Sequence, residues 1–286
     1  MKYAFIEANR SNYNIRLMTK VLNVSHGGYY DWREKEVSDR QKFRDRLDGE
    51  VRRIFLQHKG RYGAPRITKE LRQDGYTVDK KTVANSLKRQ KLRAKSARKF
   101  KATTNSNHDL PVAPNLLKQD FNASLPNQKW VGDITYLWSD EGWLYLAVII
   151  DLYSRSVIGW SMNDRINKNL VCEALGMALQ RRGSPTKVIV HSDRGSQYCS
   201  NEYQKMISDN GLLCSMSRRG DCYDNACAES FFDSLKVELT HGVQYEKRSE
   251  IREDVFEYIE CYYNTIRMHS HNDYVSPRDF EMLKVA

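Results

Sequence analysis

Residues 129–162 read KWVGDITYLWSDEGWLYLAVIIDLYSRSVIGWSM. Three strands lie in this stretch. KWVGDITYLW is strand-like, and WLYLAVIID is a continuous apolar run, as expected of a strand covered on both faces. SVIGWSM makes the third, and DLYSR between the last two predicts a tight hairpin. Downstream, NLVCEALGMALQRRG is an amphipathic helix closed by Gly183, and KVIVHSD is a fourth strand. SNEYQKMISDNG is a helix and LLCSMS a short fifth strand. DNACAESFFDSLKVEL is a helix capped by Asp224 or Asn225, and EIREDVFEYIECYYNTI is a final long helix. Hairpin-linked strands followed by alternating helix and strand predict an α/β domain. Its mixed five-stranded sheet carries helices on both faces.

Upstream the pattern is all helical. Residues 1–60 read as short helices and then a longer basic one at 38–58, striped by Leu47, Val51, Ile54 and Phe55 and stopped by Gly60. Residues 61–95 form a helix-turn-helix pattern. Pro65 starts one helix, which Ile67 and Leu71 pack and Gly75 ends. Asp79 caps the second, with Val83 and Leu87 inward. Lys80, Lys81, Thr82, Asn85, Lys88 and Arg89 then face outward, a polar and basic surface suited to a major groove. A structural helical hairpin with a solvated face fits the same spacing. Residues 96–128 read as a linker, with Leu116, Leu117 and Phe121 available to dock it on the domain at 129–286.

Charge divides the chain the same way. Residues 1–105 hold 27 Lys and Arg against 11 Asp and Glu, whereas residues 106–286 hold 19 against 25. A front half at +16 can neutralise the phosphates of a polyanion. A back half at −6 has carboxylates to use for more than solubility. An apolar content of 40% excludes a disordered chain. The longest apolar run, Trp143 to Ile150, is too short to span a bilayer, so a cytoplasmic protein is expected. The six cysteines form no C-x-x-C pair and read as reduced thiols. Cys222 and Cys227 with two histidines fit no standard zinc spacing.

Three acids fall at comparable places. Asp133 lies in the first strand, Asp193 ends the fourth, and Glu229 lies one turn into the helix after the fifth. Sheet and helix could bring all three to one edge, where they would repel one another unless cations sat among them. Hard divalent ions, Mg²⁺ or Mn²⁺, suit such oxygen ligands. Two ions can activate an attacking oxygen and stabilise a leaving one in phosphoryl transfer. Taken singly, each acid also has a plainer use, as a turn cap, a partner for Arg194, or a first-turn acid favoured by the helix dipole.

Longer stretches resemble a known family. WVGDITYL, VIIDLYSRSVIGW, HSDRGSQYCS and RRGDCYDNACAESFFDSLKVEL are similar to the catalytic domain of bacterial insertion-sequence transposases. The likeness is to the second-frame (OrfB) product of the insertion-sequence-three family, and it covers nearly the whole chain. HKGRYGAPRITKEL is similar to that family's helix-turn-helix, and YYNTIRMHSHNDYVSPRDFE to its C-terminal signature. Asn272 and Asp273 stand where Leu-Gly is usual. The resemblance implies a ribonuclease-H-like fold with a DDE triad, carried over by motif onto Asp133, Asp193 and Glu229 as catalytic metal ligands. It also implies a basic residue seven positions after the glutamate, here Lys236. That residue lies two helical turns on, on the face of Glu229, and reads either as a contact to a DNA phosphate or as a plain surface lysine.

The activity implied is strand cleavage and strand transfer on double-stranded DNA, at the element's terminal inverted repeats and at a target. Two Mg²⁺ or Mn²⁺ ions would serve it. Both ends must be held at once, so a homo-oligomer on DNA is expected. The family adds an upstream-frame product or a frameshift fusion as partner. Asp151 is left outside the site, as a partner of Arg155 or a cap of the hairpin, and His191 and Asn225 serve structure beside the acids. A retroviral-type integrase would need a His-His-Cys-Cys module, and residues 1–60 contain no cysteine. A simple nuclease would cut without joining, and a repressor would need only residues 1–105.

Overall fold

The structure, a computed structural model, describes residues 1–95, 112–218 and 222–283. At the front, α1 (Lys2–Asn9), α2 (Ile15–Val21) and α3 (His26–Glu34) close over a small core of Ile6, Met18 and Tyr29. Ser38 then caps α4 (Asp39–Gln57) by accepting from the Gln41 N–H. The helix buries Leu47, Val51, Ile54 and Phe55, the stripe that the sequence predicts. Next come α5 (Ala64–Gln73), with Pro65 in its first turn, and α6 (Lys80–Arg89), capped by Asp79 through the Thr82 N–H. Ile67, Leu71, Val83 and Leu87 are buried between them. Gly75 ends α5 at φ +87°, a conformation that costs any other residue a Cβ clash.

The sheet has five strands in the order β3-β2-β1-β4-β5. β2 (Gly142–Asp151) pairs antiparallel with β1 (Lys129–Ser139) on one side and with β3 (Val157–Asn163) on the other. β4 (Ile189–Ser192) lies parallel to β1, and β5 (Leu213–Met216) parallel to β4. One face packs α7 (Lys168–Arg182) and α8 (Asn201–Asp209) over Trp130, Ala147, Ile149 and Val190. A Cβ on Gly159 would lie 2.2 Å from the Ala174 carbonyl oxygen, so only glycine lets α7 approach β3 this closely. The other face packs α9 (Ala226–Leu235) and α10 (Arg248–Phe256) over Val131, Leu144, Leu146 and Val148. Both helices run on into π-helical turns, Lys236–Thr240 and Glu257–Tyr263. The long helix expected at the end is not the last element, because Pro277 opens a further short helix, α11 (Pro277–Leu283).

The helical front docks on this second face. Leu47 to Leu87 and Val131 to Met268 belong to one buried apolar cluster. Tyr62 is buried at the joint, and its hydroxyl accepts from the Met268 N–H at 2.8 Å. Arg66 donates to the Met268 carbonyl at 3.0 Å. Beneath them Glu238 is buried with a full set of partners. The Arg267 guanidinium grips its carboxylate at 2.7 and 2.9 Å, and the Tyr258 hydroxyl donates to it at 3.0 Å. Lys95 donates to the Glu238 backbone carbonyl at 2.9 Å.

The predicted linker is described only from residue 112, and the rest of it lies outside the described residues. Leu117 docks as expected and is buried, with its N–H on the Ser215 hydroxyl. Phe121 packs half-buried against the same cluster. Leu116 does not dock, and its side chain stands 41% exposed. The chain bends at Leu117 and turns over Lys118 and Gln119, so Leu117 is carried inward while Leu116 stays outside.

Candidate active site at the edge of the sheet

β4 pairs with β1 only from Lys129 to Val131, where Val131 stands opposite His191. Asp133 and Asp193 each lie two residues beyond that pair. Side chains alternate along a strand, so both carboxylates leave on the side of their paired residues. Neighbouring strands lie about 4.8 Å apart, which brings the two acids together. This explains why the chain runs from β4 straight into an aspartate. Gly195 follows because its N–H turns back to the Asp193 Oδ1 at 2.8 Å. A Cβ there would come within 3.0 Å of the same oxygen.

Asp133 Oδ1 accepts from the Ile134 N–H at 2.8 Å. Burial of its carboxyl, and then the negative charge of Asp193, push its pKa well above the usual carboxylate range. Glu229 adds to the push, and Lys236 opposes it. Glu229 sits on the first turn of α9, on its exposed flank. Its own pKa is raised by partial loss of water and by Asp233. Asn225 anchors the start of α9 by donating to the Gly132 carbonyl at 3.3 Å, one residue from Asp133.

The expected convergence is therefore partial. Asp133 and Asp193 come together, and Glu229 acts on Asp133 electrostatically. Among the described residues, however, no three His, Cys, Asp or Glu side chains stand close enough to hold a metal ion. Glu229 itself lies on the exposed side of α9. The donors that do meet are hard carboxylate oxygens in mutual repulsion, the chemistry that suits a hard divalent cation.

Lys236 is half-buried at the end of α9. Its Nζ stands 5.0 Å from the centre of the Tyr136 ring, and burial lowers its pKa. It is thus not a plain surface lysine. On α6, Lys80, Lys81, Asn85 and Lys88 are exposed as predicted. Arg89 is exposed too, but its guanidinium holds Asp48 of α4 at 2.5 Å, and Ser86 donates to the same carboxylate. Burial would raise the Asp48 pKa, yet these hydrogen bonds bring it below the ordinary value. Arg89 is therefore tied to α4.

The Asp151 carboxylate does not pair with the Arg155 guanidinium, although the Arg155 N–H donates to the Asp151 backbone carbonyl at 2.8 Å. Asp151 is fully buried, accepts from the Tyr153 N–H at 3.0 Å as a hairpin cap, and has the Arg182 guanidinium at 3.7 Å. Arg155 turns away to the Phe121 carbonyl and the Cys227 sulfur. His191 is buried, with Nδ1 on the Ser215 hydroxyl at 2.8 Å, and burial lowers its pKa to about 4. Reading the strand from its apolar run alone passes over Tyr136, Trp138 and Trp143, which are exposed beside this edge. The signal for them is in the alternation, because a strand's solvent face is expected to be polar and here it is aromatic.

The family described as "Integrase core domain" matches residues 123–222, and a second family of the same description matches 229–284. "HTH-like domain" matches 42–100. The chain is 55% identical to "Transposase InsF for insertion sequence IS3A" of Escherichia coli (strain K12), over 100% of both chains. It is 45% identical to the "Insertion element IS600 uncharacterized 31 kDa protein" of Shigella sonnei, covering 92% of this chain and 97% of that one. Among solved structures, the HTLV-2 integrase catalytic core domain in complex with magnesium overlays with a TM-score of 0.44 at 17% identity. That overlay covers 56% of this chain and 99% of that one. The simian T-cell lymphotropic virus intasome overlays with a TM-score of 0.47 at 16% identity, over 81% and 74%.

Proposed function

The chain belongs to the insertion-sequence-three family of transposases, and from that premise we propose that it cuts and joins DNA at the ends of such an element by a DDE mechanism. The observation that carries the proposal is the placement of Asp133 and Asp193, each two residues past the Val131–His191 pair, with Glu229 within electrostatic reach. Asp133, Asp193 and Glu229 would hold Mg²⁺ or Mn²⁺, two ions in all. The ions, when bound, would help activate the attacking oxygen and stabilise the leaving one. The chain's own groups do the rest. Lys236 offers an ammonium beside Asp133 for a phosphate of the strand. Asn225 and Gly195 hold Glu229's helix and the Asp193 carboxylate in place. Residues 1–60, 61–95, 96–128 and 129–286 serve as helical front, helix-turn-helix, linker and catalytic domain.

DNA binding follows from the helix-turn-helix family match. In our reading Lys80, Lys81, Asn85 and Lys88 contact the terminal inverted repeats, and Arg89 helps only by fixing α6 on α4. Holding two ends and a target implies a homo-oligomer, and the upstream-frame product or a frameshift fusion would join it. No helix among the described residues is long and apolar enough to cross a membrane. We place the protein in the bacterial cytoplasm, on the nucleoid.

The test uses purified chain, Mg²⁺ and labelled DNA carrying the terminal repeat. Wild type should give strand-joined products. Glu229→Gln should bind the DNA equally well and give neither cuts nor joins, a loss of more than about a hundredfold. Joining by Glu229→Gln at the wild-type rate would refute the triad, and cutting without joining in wild type would favour a nuclease.

A further inference from the structure

The hairpin of β1 and β2 carries four aromatic rings that the catalytic reading leaves unused. Alternation puts Tyr136 and Trp138 on one face of β1, with buried Leu137 on the other. Their register partners on β2 are Tyr145 and Trp143. α7 and α8 cover the far end of this face, over Trp130, Ala147 and Ile149. The rings near the turn stay open, with Trp138 56%, Trp143 43% and Tyr136 38% exposed. They meet edge to face. The Trp138 and Trp143 centroids are 4.7 Å apart at 72°, and those of Tyr136 and Trp143 are 5.0 Å apart at 85°. Cross-strand aromatic pairs steady a hairpin, which accounts for the pairing but not for the exposure. Large apolar surface left together in water marks a binding face.

The patch and the acids share one strand but not one face: side chains an odd number of residues apart leave a strand on opposite sides, so Asp133 goes with Val131 and Tyr136 with Trp138. Past Val131 β4 no longer pairs with β1, and around that edge Tyr136 and Asp133 are separated by about 10 Å of strand. That is roughly the length of three stacked bases. Lys236 joins the two places, with its ammonium over Tyr136 and within the field of Asp133. Asp140 and Glu141, at the hairpin turn, are engaged from the α10 side by the Gln244 side chain and the Arg248 N–H.

We propose that Tyr136, Trp138 and Trp143 form a stacking platform for unpaired bases of the DNA strand whose end is held at Asp133 and Asp193. The proposal rests on the transposase reading given above. An aromatic face accepts any base, so the platform grips a freed end whatever its sequence. A lysine beside the rings completes the match to a nucleic-acid strand, since it can take the phosphate while the rings take the bases.

The experiment measures binding by the full chain in metal-free buffer. Three labelled duplexes are compared: one blunt, one with an unpaired 3′ extension, and one whose extension is built of abasic sites. The base-bearing extension should bind about tenfold tighter than the other two. Trp138→Ala and Trp143→Ala should each erase that preference, Trp138→Phe should keep it, and affinity for the blunt duplex should not change in any of them. Should the alanine variant melt early, Trp138→Leu keeps the apolar bulk without a stacking ring and should also erase the preference. Equal affinity of wild type for base-bearing and abasic extensions would overturn the platform, as would a preference that survives Trp138→Ala. Preference lost only together with a shift in oligomeric state would assign the rings to a second copy of the chain, and would overturn it too. Failure to bind any of the three would remove the transposase reading itself, whereas binding all three alike would remove only the platform.

Discussion

Glu229 and Glu238 lie on one continuous run of helix, α9 and the π-helical turn after it, yet they live in opposite surroundings. Glu238 is buried and fully served by Arg267, Tyr258 and, at 3.8 Å, Arg66. Glu229 faces outward beside Asp233 and pushes on Asp133, which already faces Asp193. One carboxylate is satisfied by the chain itself, and the other group of three is left in repulsion. A folded protein tolerates such repulsion where something outside the chain completes it. The satisfied acid holds the helical front onto the catalytic domain, and the mutually repelling ones are where chemistry is expected.

The largest effect should come from breaking the satisfied side. Arg267→Ala leaves Glu238 buried without its main partner and should cost about 3–5 kcal/mol in denaturant unfolding. A loss near zero would mean that Arg66 takes over, and the contrast between the two acids would weaken.

Next in size is a pH effect that separates the two regions. Burial lowers the pKa of His191, beside Asp193, to about 4, and that of His269, near Arg267, to about 3. Between those values and about 6.5 the unfolded chain takes up protons that the folded chain refuses. Stability should be full above that window and fall as the pH drops through it. The slope is about 1.4 kcal/mol per pH unit for each histidine fully in its window. His191→Gln and His269→Gln should each flatten one share of the slope. An unchanged slope in both would place the acid sensitivity elsewhere.

The smallest change should have the opposite sign. Asp133→Asn removes a charge that Asp193 and Glu229 oppose, and should stabilise the metal-free chain by on the order of 1 kcal/mol while abolishing activity. A destabilisation would show that Asp133 is held by its surroundings as Glu238 is.

Much of this layout was legible before folding. The strands announce themselves by apolar runs and α6 by its Asp79 cap, and Asp133, Asp193 and Glu229 fall within a strand, just past a strand and in the first turn of a helix. What escaped depends on distance along the chain. Arg89 looked like an outward contact because Asp48 lies 41 residues away, on a helix whose packing no local pattern specifies. Arg267 meets Glu238 across 29 residues for the same reason. Asp151 took Arg182 rather than the nearby Arg155, because the hairpin turns Arg155 toward Phe121. Glu229 was placed on the right helix turn, but its distance from the two aspartates depends on how α9 meets the sheet, which periodicity does not encode.

The most direct test of the central claim is thermal melting of wild type, Asp193→Asn and Arg267→Ala with and without saturating Mn²⁺. If the repelling acids are completed by cations, Mn²⁺ should raise the Tm of wild type, and equally that of Arg267→Ala from its lower starting point, while Asp193→Asn stays flat. An equal rise in Asp193→Asn would mean that the ion binds elsewhere, and would contradict the account.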